Sequence, residues 1–148
     1  MKLYTRFAAA LAALALLTVV AGCGPMAASD IVGEPVNLDG TSWILVRLQG
    51  QELIPETQAT LAFEGEQIAG TASCNHYFGS VTIKGETLTV GMVGNTEMWC
   101  ATPEGVMDQE TNYLKALGSV ARYNVENGEL TLYDADDQAL LVFASEID

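Results

Sequence analysis

Ser80-Val-Thr-Ile-Lys-Gly-Glu-Thr-Leu-Thr-Val90 decides the class of the fold. Val81, Ile83, Leu88 and Val90 alternate with Ser80, Thr82, Thr87 and Thr89, a period of two that turns one set of side chains to a core and the other to water. Gly85-Glu86 between the two runs is a turn pair, so the stretch is predicted to be a β-hairpin. Just upstream, Thr60-Leu-Ala-Phe-Glu64 and Gln67-Ile-Ala-Gly-Thr71 flank Gly65-Glu66 in the same way. Downstream, Ala121-Arg-Tyr-Asn-Val125 and Glu129-Leu-Thr-Leu-Tyr133 meet through Asn127-Gly128, a pair suited to the left-handed angles of a type I′ turn. Ser42-Trp-Ile-Leu-Val-Arg-Leu48 reads as a first strand, with Trp43, Leu45 and Arg47 on one face and Ile44, Val46 and Leu48 on the other. A run so apolar on both faces is expected to be central or covered. Ala139-Leu-Leu-Val-Phe143 is a last strand, reached through the polar turn Asp134-Ala-Asp-Asp137. The chain is therefore predicted to be mainly β and antiparallel.

Pro103 to Leu117 carries a helical period instead. Thr102 is expected to cap this helix, Pro103 to take its first position, Glu104 and Asp108 to favour its positive end, and Gly118 to end it. Met107, Tyr113, Leu114 and Leu117, with Val106 beside them, form an apolar stripe that should cover one face of the sheet and bury Leu114 and Leu117. Glu110 falls within the stripe. It either sits at the rim and reaches water or points inward, where it needs a donor such as a strand-end backbone amide.

The amino end has another purpose. Lys2 and Arg6, the apolar run Phe7 to Ala21 and the closing Gly22-Cys23 make residues 1–22 a secretory signal peptide. The run falls short of the ~20 residues that an uncleaved membrane helix requires. Val20-Ala21-Gly22-Cys23 resembles the lipobox of bacterial lipoproteins. That resemblance implies cleavage before Cys23, a diacylglycerol on its thiol and an acyl chain on its freed amine. Each buried methylene contributes ~0.8 kcal/mol, so three chains would anchor the protein lastingly to the membrane. Residues 23–37, with Pro25, Gly33 and Pro35 and no sustained period, are predicted to be a flexible tether to a folded domain over 38–145. The expected location is the cell envelope. Gly24 rather than aspartate after the cysteine resembles an outer-membrane sorting signal where the source has two membranes; otherwise the outer face of the cell membrane is expected.

Cleavage would leave 126 residues, enough for one domain burying roughly two thirds of its unfolded surface. It removes two of six basic residues and none of nineteen acidic ones, so the net charge goes from −13 to −15. Such a chain is no partner for nucleic acid, and it repels anionic headgroups, which leaves attachment to the acyl chains. With Cys23 given to lipid, Cys74 and Cys100 remain in an oxidising compartment and read as a disulfide. It would close a loop of 26 residues, worth on the order of 3 kcal/mol. Two rivals stand beside it. Zinc would lack a fourth ligand and any C-x-x-C spacing, and a Cys74–His76 nucleophile would have to stay reduced outside the cytoplasm.

Thr71-Ala-Ser-Cys-Asn-His-Tyr-Phe-Gly79 resembles the GCN-x-Y-x-G signature of the META domain family, the HslJ-like domains. Leu38-Asp-Gly-Thr-Ser-Trp43 is similar to the family's opening L-x-G-T-x-W, and Thr96-Glu-Met-Trp-Cys100 to its T-x-M-x-C. Glu110-Thr-Asn-Tyr-Leu-Lys-Ala-Leu117 matches its E-x-x-Y-x-x-x-L helix, and Leu130 through Phe143 its terminal strands. The resemblance covers about Leu38 to Ala144. Ser73 stands where the family has glycine, which leaves open whether the backbone there takes a positive φ. The resemblance implies a curled antiparallel sheet or half-barrel with one packed helix, no established enzymatic chemistry, and links to heat-shock response, drug tolerance and the envelope.

The residues point the same way. One histidine gives no Ser-His-Asp set, Gly91-Met-Val-Gly94 lacks the lysine and helix of a phosphate loop, and Asp134, Asp136 and Asp137 lack the glycine and distal glutamate of an EF-hand. Asn75 is expected to satisfy backbone groups in a turn, and Tyr77 and Phe78 to fill core. The expected function is a non-enzymatic envelope lipoprotein with a stress-related binding or structural role. It has no catalytic residue, cofactor or metal, and its partners are the membrane and an envelope protein or small ligand. The alternative is a small-ligand module using the open end of the sheet, with Trp43, Tyr77, Met98 and Trp99 as candidate ligand-binding residues.

Overall fold

The computed structural model describes residues 36–146; the predicted signal peptide, Cys23 and the tether as far as Pro35 lie outside the described residues. The eight strands are β1 (Ser42–Leu48), β2 (Thr60–Glu64), β3 (Gln67–Thr71), β4 (His76–Lys84), β5 (Thr87–Asn95), β6 (Arg122–Glu126), β7 (Glu129–Tyr133) and β8 (Ala139–Ser145). One helix, α1 (Val106–Gly118), lies between β5 and β6 in sequence. Every strand pairs antiparallel with its neighbour in the chain, and β8 pairs back onto β1, so the curled sheet closes into a barrel.

The predicted turns hold because their residues suit them. Gly65 and Gly85 take φ of 58° and 59°, and Asn127 and Gly128 take 52° and 79°, left-handed angles that cost glycine and asparagine little. Alternation then fills the interior with Trp43, Leu45, Leu61, Phe63, Ile68, Tyr77, Val81, Leu88, Leu130, Leu132, Leu141 and Phe143, all buried.

Two strand expectations change. The outer face of β1 is not covered: Val46 and Arg47 are exposed, and Ile44 and Leu48 are half-buried. A closed barrel has only one inside, and a register shift between Leu45 and Arg47 turns the arginine outward. β4 and β5 are also longer than their alternating core, starting at His76 and ending at Asn95. Gly79, Gly91 and Gly94 break the hydrophobic pattern, yet β4 and β5 pair on both sides of a register shift between Gly79 and Val81: Phe78 sits opposite Gly94, Gly79 opposite Val93 and Val81 opposite Val90.

The helix begins three residues later than its capping signals suggest. Gly105, at φ 84°, is its N-cap and supplies no side chain, while the Val106 N–H donates to the Pro103 carbonyl. Thr102 and Pro103 therefore belong to the turn before it. At 3.6 residues per turn, Val106, Gln109, Glu110, Ala116 and Leu117 lie within about 60° of Tyr113, whereas Leu114 and Met107 lie about 100° and 120° away. The first set is buried, and Leu114 and Met107 are half-buried at the rim. The expected burial holds for Leu117 and not for Leu114. α1 packs on β5 and β8 and sends its inward side chains over the starts of β2 and β4.

The two ends of the barrel differ. The chain enters at the end of the hairpin turns, where the Gly65 N–H donates to Asp39 and Val36, Asp39, Lys84 and Gly85 line one cavity. The far end holds α1 and the segments that precede β4 and follow β5.

Candidate functional site

Asn75 is the centre of the far end. It is 1% exposed. Its amide nitrogen donates to the Met98 carbonyl at 3.0 Å and to Glu110 Oε1 at 2.7 Å. Its Oδ1 accepts from the Met98 N–H and from the Thr96 hydroxyl, both at 2.7 Å. The side chain thus serves Met98 as the peptide group of an adjacent strand would, with a donor and an acceptor together.

Glu110 takes the inward alternative. It is buried, and its Oε2 accepts from the Asn75 N–H at 2.7 Å and the Cys74 N–H at 3.2 Å. The donors it needed are amides just ahead of β4. Gln109 was missed as an inward residue, although it lies four residues before Tyr113 and so on the same face. Its Oε1 accepts from the Ile54 N–H at 2.7 Å, and its Nε2 donates to the Thr57 and Ser73 hydroxyls, each at 2.8 Å. Ser73 holds φ at 88°, so the backbone keeps a left-handed angle without glycine, and Gln109 gives the serine hydroxyl a partner.

Cys74 and Cys100 form a disulfide, with Cα atoms 6.0 Å apart. Both thiols are therefore spent, which removes them from the nucleophile and zinc alternatives. The Thr96 N–H also donates to the His76 carbonyl at 3.0 Å, and the His76 N–H to the Thr96 hydroxyl at 3.2 Å. Three ties in succession, Thr96 to His76, Met98 to Asn75 and Cys100 to Cys74, extend the β4–β5 ladder past its last regular pair. Reducing the disulfide is expected to cost about 3 kcal/mol, from the entropy of a loop of this length, while the β spectrum persists. A urea midpoint unmoved by reductant would contradict that contribution.

One step further in, the Tyr77 hydroxyl donates to the Thr60 carbonyl at 2.8 Å and lies 2.7 Å from the Tyr113 hydroxyl. Tyr113 is fully buried and meets Phe143 edge-on at 6.5 Å between centroids. Burial pushes both phenols above the ordinary tyrosine value; the hydrogen bond from Tyr113 partly counters this at Tyr77, and the neighbouring Tyr77 adds to it at Tyr113. Gly70 makes room for the pair. It lies opposite Tyr77, and a Cβ on it would overlap the Thr60 carbonyl and come within 3.0 Å of the Tyr77 hydroxyl.

The META domain model matches residues 36–147, all of this barrel with its helix. The chain belongs to the META domain family. A protein from Burkholderia xenovorans, solved by NMR, is similar in structure with a TM-score of 0.62 and 28% identity, over 78% of this chain and 92% of that one. A second NMR structure matches with a TM-score of 0.57 and 22% identity, over 72% of this chain and 90% of the other, and bears on the fold alone. No curated protein matches the chain.

Within the META domain, the two family segments noted in the sequence face each other residue for residue. Glu110 binds Asn75 and Tyr113 binds Tyr77. Two steps along a strand advance about 6.6 Å and three along a helix about 4.5 Å, near enough for both pairs to close together.

The four candidate ligand residues are not brought together. Trp43 and Tyr77 are buried in the core, with the Trp43 indole donating to the Thr41 hydroxyl at 2.8 Å. Met98 and Trp99 are 52% and 80% exposed at the far end. Cavities of about 410, 390, 310 and 420 Å³ open on the described surface, and of the four residues only Trp43 lines any of these. Phe78, expected in the core, is 67% exposed, because it neighbours the inward Tyr77 on a strand and must face the other way. In the acidic turn, Asp134 accepts from the Asp136 and Gln138 N–H groups, and Asp137 pairs with Arg122 at 2.8 Å.

Proposed function

We propose that the protein is an exported, lipid-anchored envelope protein whose META domain works by binding or bracing, without chemistry of its own, in a stress-related role. One observation carries the non-enzymatic part. Six residues of the family segments are committed to structure: Cys74 and Cys100 to the disulfide, Asn75 and Glu110 to each other and the backbone, Tyr77 and Tyr113 to the core; His76 of the same segments is exposed, and the thiol it would need is in the disulfide. A catalytic group needs an unsatisfied, accessible atom near its target, and these offer none.

The anchor rests on the sequence Val20-Ala-Gly-Cys23 behind its apolar run. The disulfide supports export, since such bonds persist in oxidising compartments. Cells fed a labelled fatty acid are expected to place label on the wild-type chain and none on Cys23→Ala, which should accumulate unprocessed or in the soluble fraction. A wild-type chain that stays unlabelled would end the anchoring part of the reading.

A further inference from the structure

Of the six large apolar side chains exposed on the described surface, Phe78, Met92, Met98 and Trp99 belong to β4, β5 and the braced segment that continues them. Phe78 stands over Gly94, whose Cβ position lies 3.0 Å from the ring, and Met92, two residues along β5, is 91% exposed. Met98 and Trp99 follow on the far side of Thr96. The row from Met92 to Trp99 takes seven steps along the chain, roughly 23 Å where it is extended. Exposed aromatic and methionine side chains concentrated on one strip mark interaction surfaces, whereas scattered ones mean little.

This strip is also held still. A disulfide, a buried asparagine and a hydrogen-bonded threonine fix the backbone on both sides of Trp99. Core stability does not require that the tryptophan they position be exposed. A rigid aromatic anchor is what a partner can dock on at little entropic cost.

Charge narrows the partner. From Gly85 to Leu114 the sequence has no lysine or arginine, and Glu97, Glu104 and Asp108 are exposed. The first helical turn lies beside the braced segment, since the Cys100 N–H meets the Met107 sulfur at 3.5 Å. We propose that the strip from Met92 to Trp99, with Phe78, docks a polypeptide segment that sets lysine or arginine beside apolar side chains. The apolar groups cover Phe78, Met98 and Trp99, and the cations meet the carboxylates and the indole face. A second copy of this acidic chain would be repelled at the same place. The inference rests on the binding role proposed above.

The test uses the full chain in a non-ionic detergent and a fluorescent peptide of alternating Lys and Leu, with a Glu-for-Lys control, read by anisotropy. The basic peptide is expected to bind at least ~10-fold more tightly than the control, to weaken with salt, and to lose ~10-fold or more in Trp99→Ala and in Glu97→Lys. Both substitutions are at exposed positions, and an unchanged melting curve separates lost docking from lost fold. Equal affinity for the two peptides, or binding indifferent to Trp99→Ala, would overturn the proposal. So would neutral lipid vesicles binding through Trp99 where the peptide does not, or self-association abolished by Trp99→Lys. Fatty-acid labelling is read independently, so a failed anchor and a failed docking strip are distinguishable.

Discussion

Glu110→Ala is expected to destabilise the domain by ~3–5 kcal/mol. The carboxylate is buried and receives the Cys74 and Asn75 N–H groups and the Asn75 side-chain amide. Removing it leaves three donors without their acceptor, the Asn75 pair buried and the Cys74 N–H part-buried, each costing ~1–3 kcal/mol when shut off from water, with some relief from water entering the space. A domain of this size has ~5–15 kcal/mol to lose, so the variant should be marginal and its urea midpoint should fall far below wild type. Asn75→Ala should cost a similar amount, and the double variant less than the sum, because the two residues share bonds. Strict additivity would show that Glu110 and Asn75 act independently. A wild-type midpoint in Glu110→Ala would remove the network from the account of stability altogether.

Tyr113→Ala should cost ~3–5 kcal/mol, the range for deleting a buried aromatic ring. The ring fills the space between Tyr77 and Phe143. Tyr113→Phe keeps that packing and loses only a hydroxyl, and since Tyr77 still donates to Thr60 the expected cost is ~0.5–1.5 kcal/mol. The same hydroxyls make the fold sensitive to base. Below about pH 10 the phenols are protonated in both folded and unfolded chains and contribute no pH dependence. Above it the unfolded phenols release protons while Tyr77 and Tyr113 retain theirs, so the native state binds more protons and stability falls as pH rises. Each tyrosine contributes ~1.4 kcal/mol per pH unit over that limb. Tyr77→Phe with Tyr113→Phe should flatten the alkaline fall of the urea midpoint. A limb of unchanged slope would show that other groups cause it.

The barrel's hairpins were legible because each was written twice, in a period of two and in a turn pair that tolerates left-handed angles. Thr60–Glu64 and Glu129–Tyr133 fall where their hairpin signals put them, and Ser42–Leu48 where its apolar run did. The disulfide was legible by compartment and count. The length of β5 was not, because Gly91 and Gly94 carry no side chain to continue the pattern, and the strand runs on past the irregularity at Gly91 through its pairing with β4 from Val93 to Asn95. Phe78 misled for a related reason: apolar character suggests a core, but strand geometry gives Phe78 and Tyr77 opposite faces.

By itself the sequence determined what is local: strand periods, turn chemistry, and the inward side of Tyr113 and Leu117 on a 3.6-residue helix. Only the tertiary structure decided which distant groups meet. Glu110 was a carboxylate on an apolar stripe with two outcomes, and closure of the barrel brought Cys74 and Asn75 to it from 36 and 35 residues away. The same closure buried Trp43 and Tyr77 and left Met98 and Trp99 in solvent, parting four residues expected to line one open end of the sheet. Periodicity specifies a side chain's face on its own element, but its partners depend on how the elements are placed, and that placement follows from packing the core as a whole.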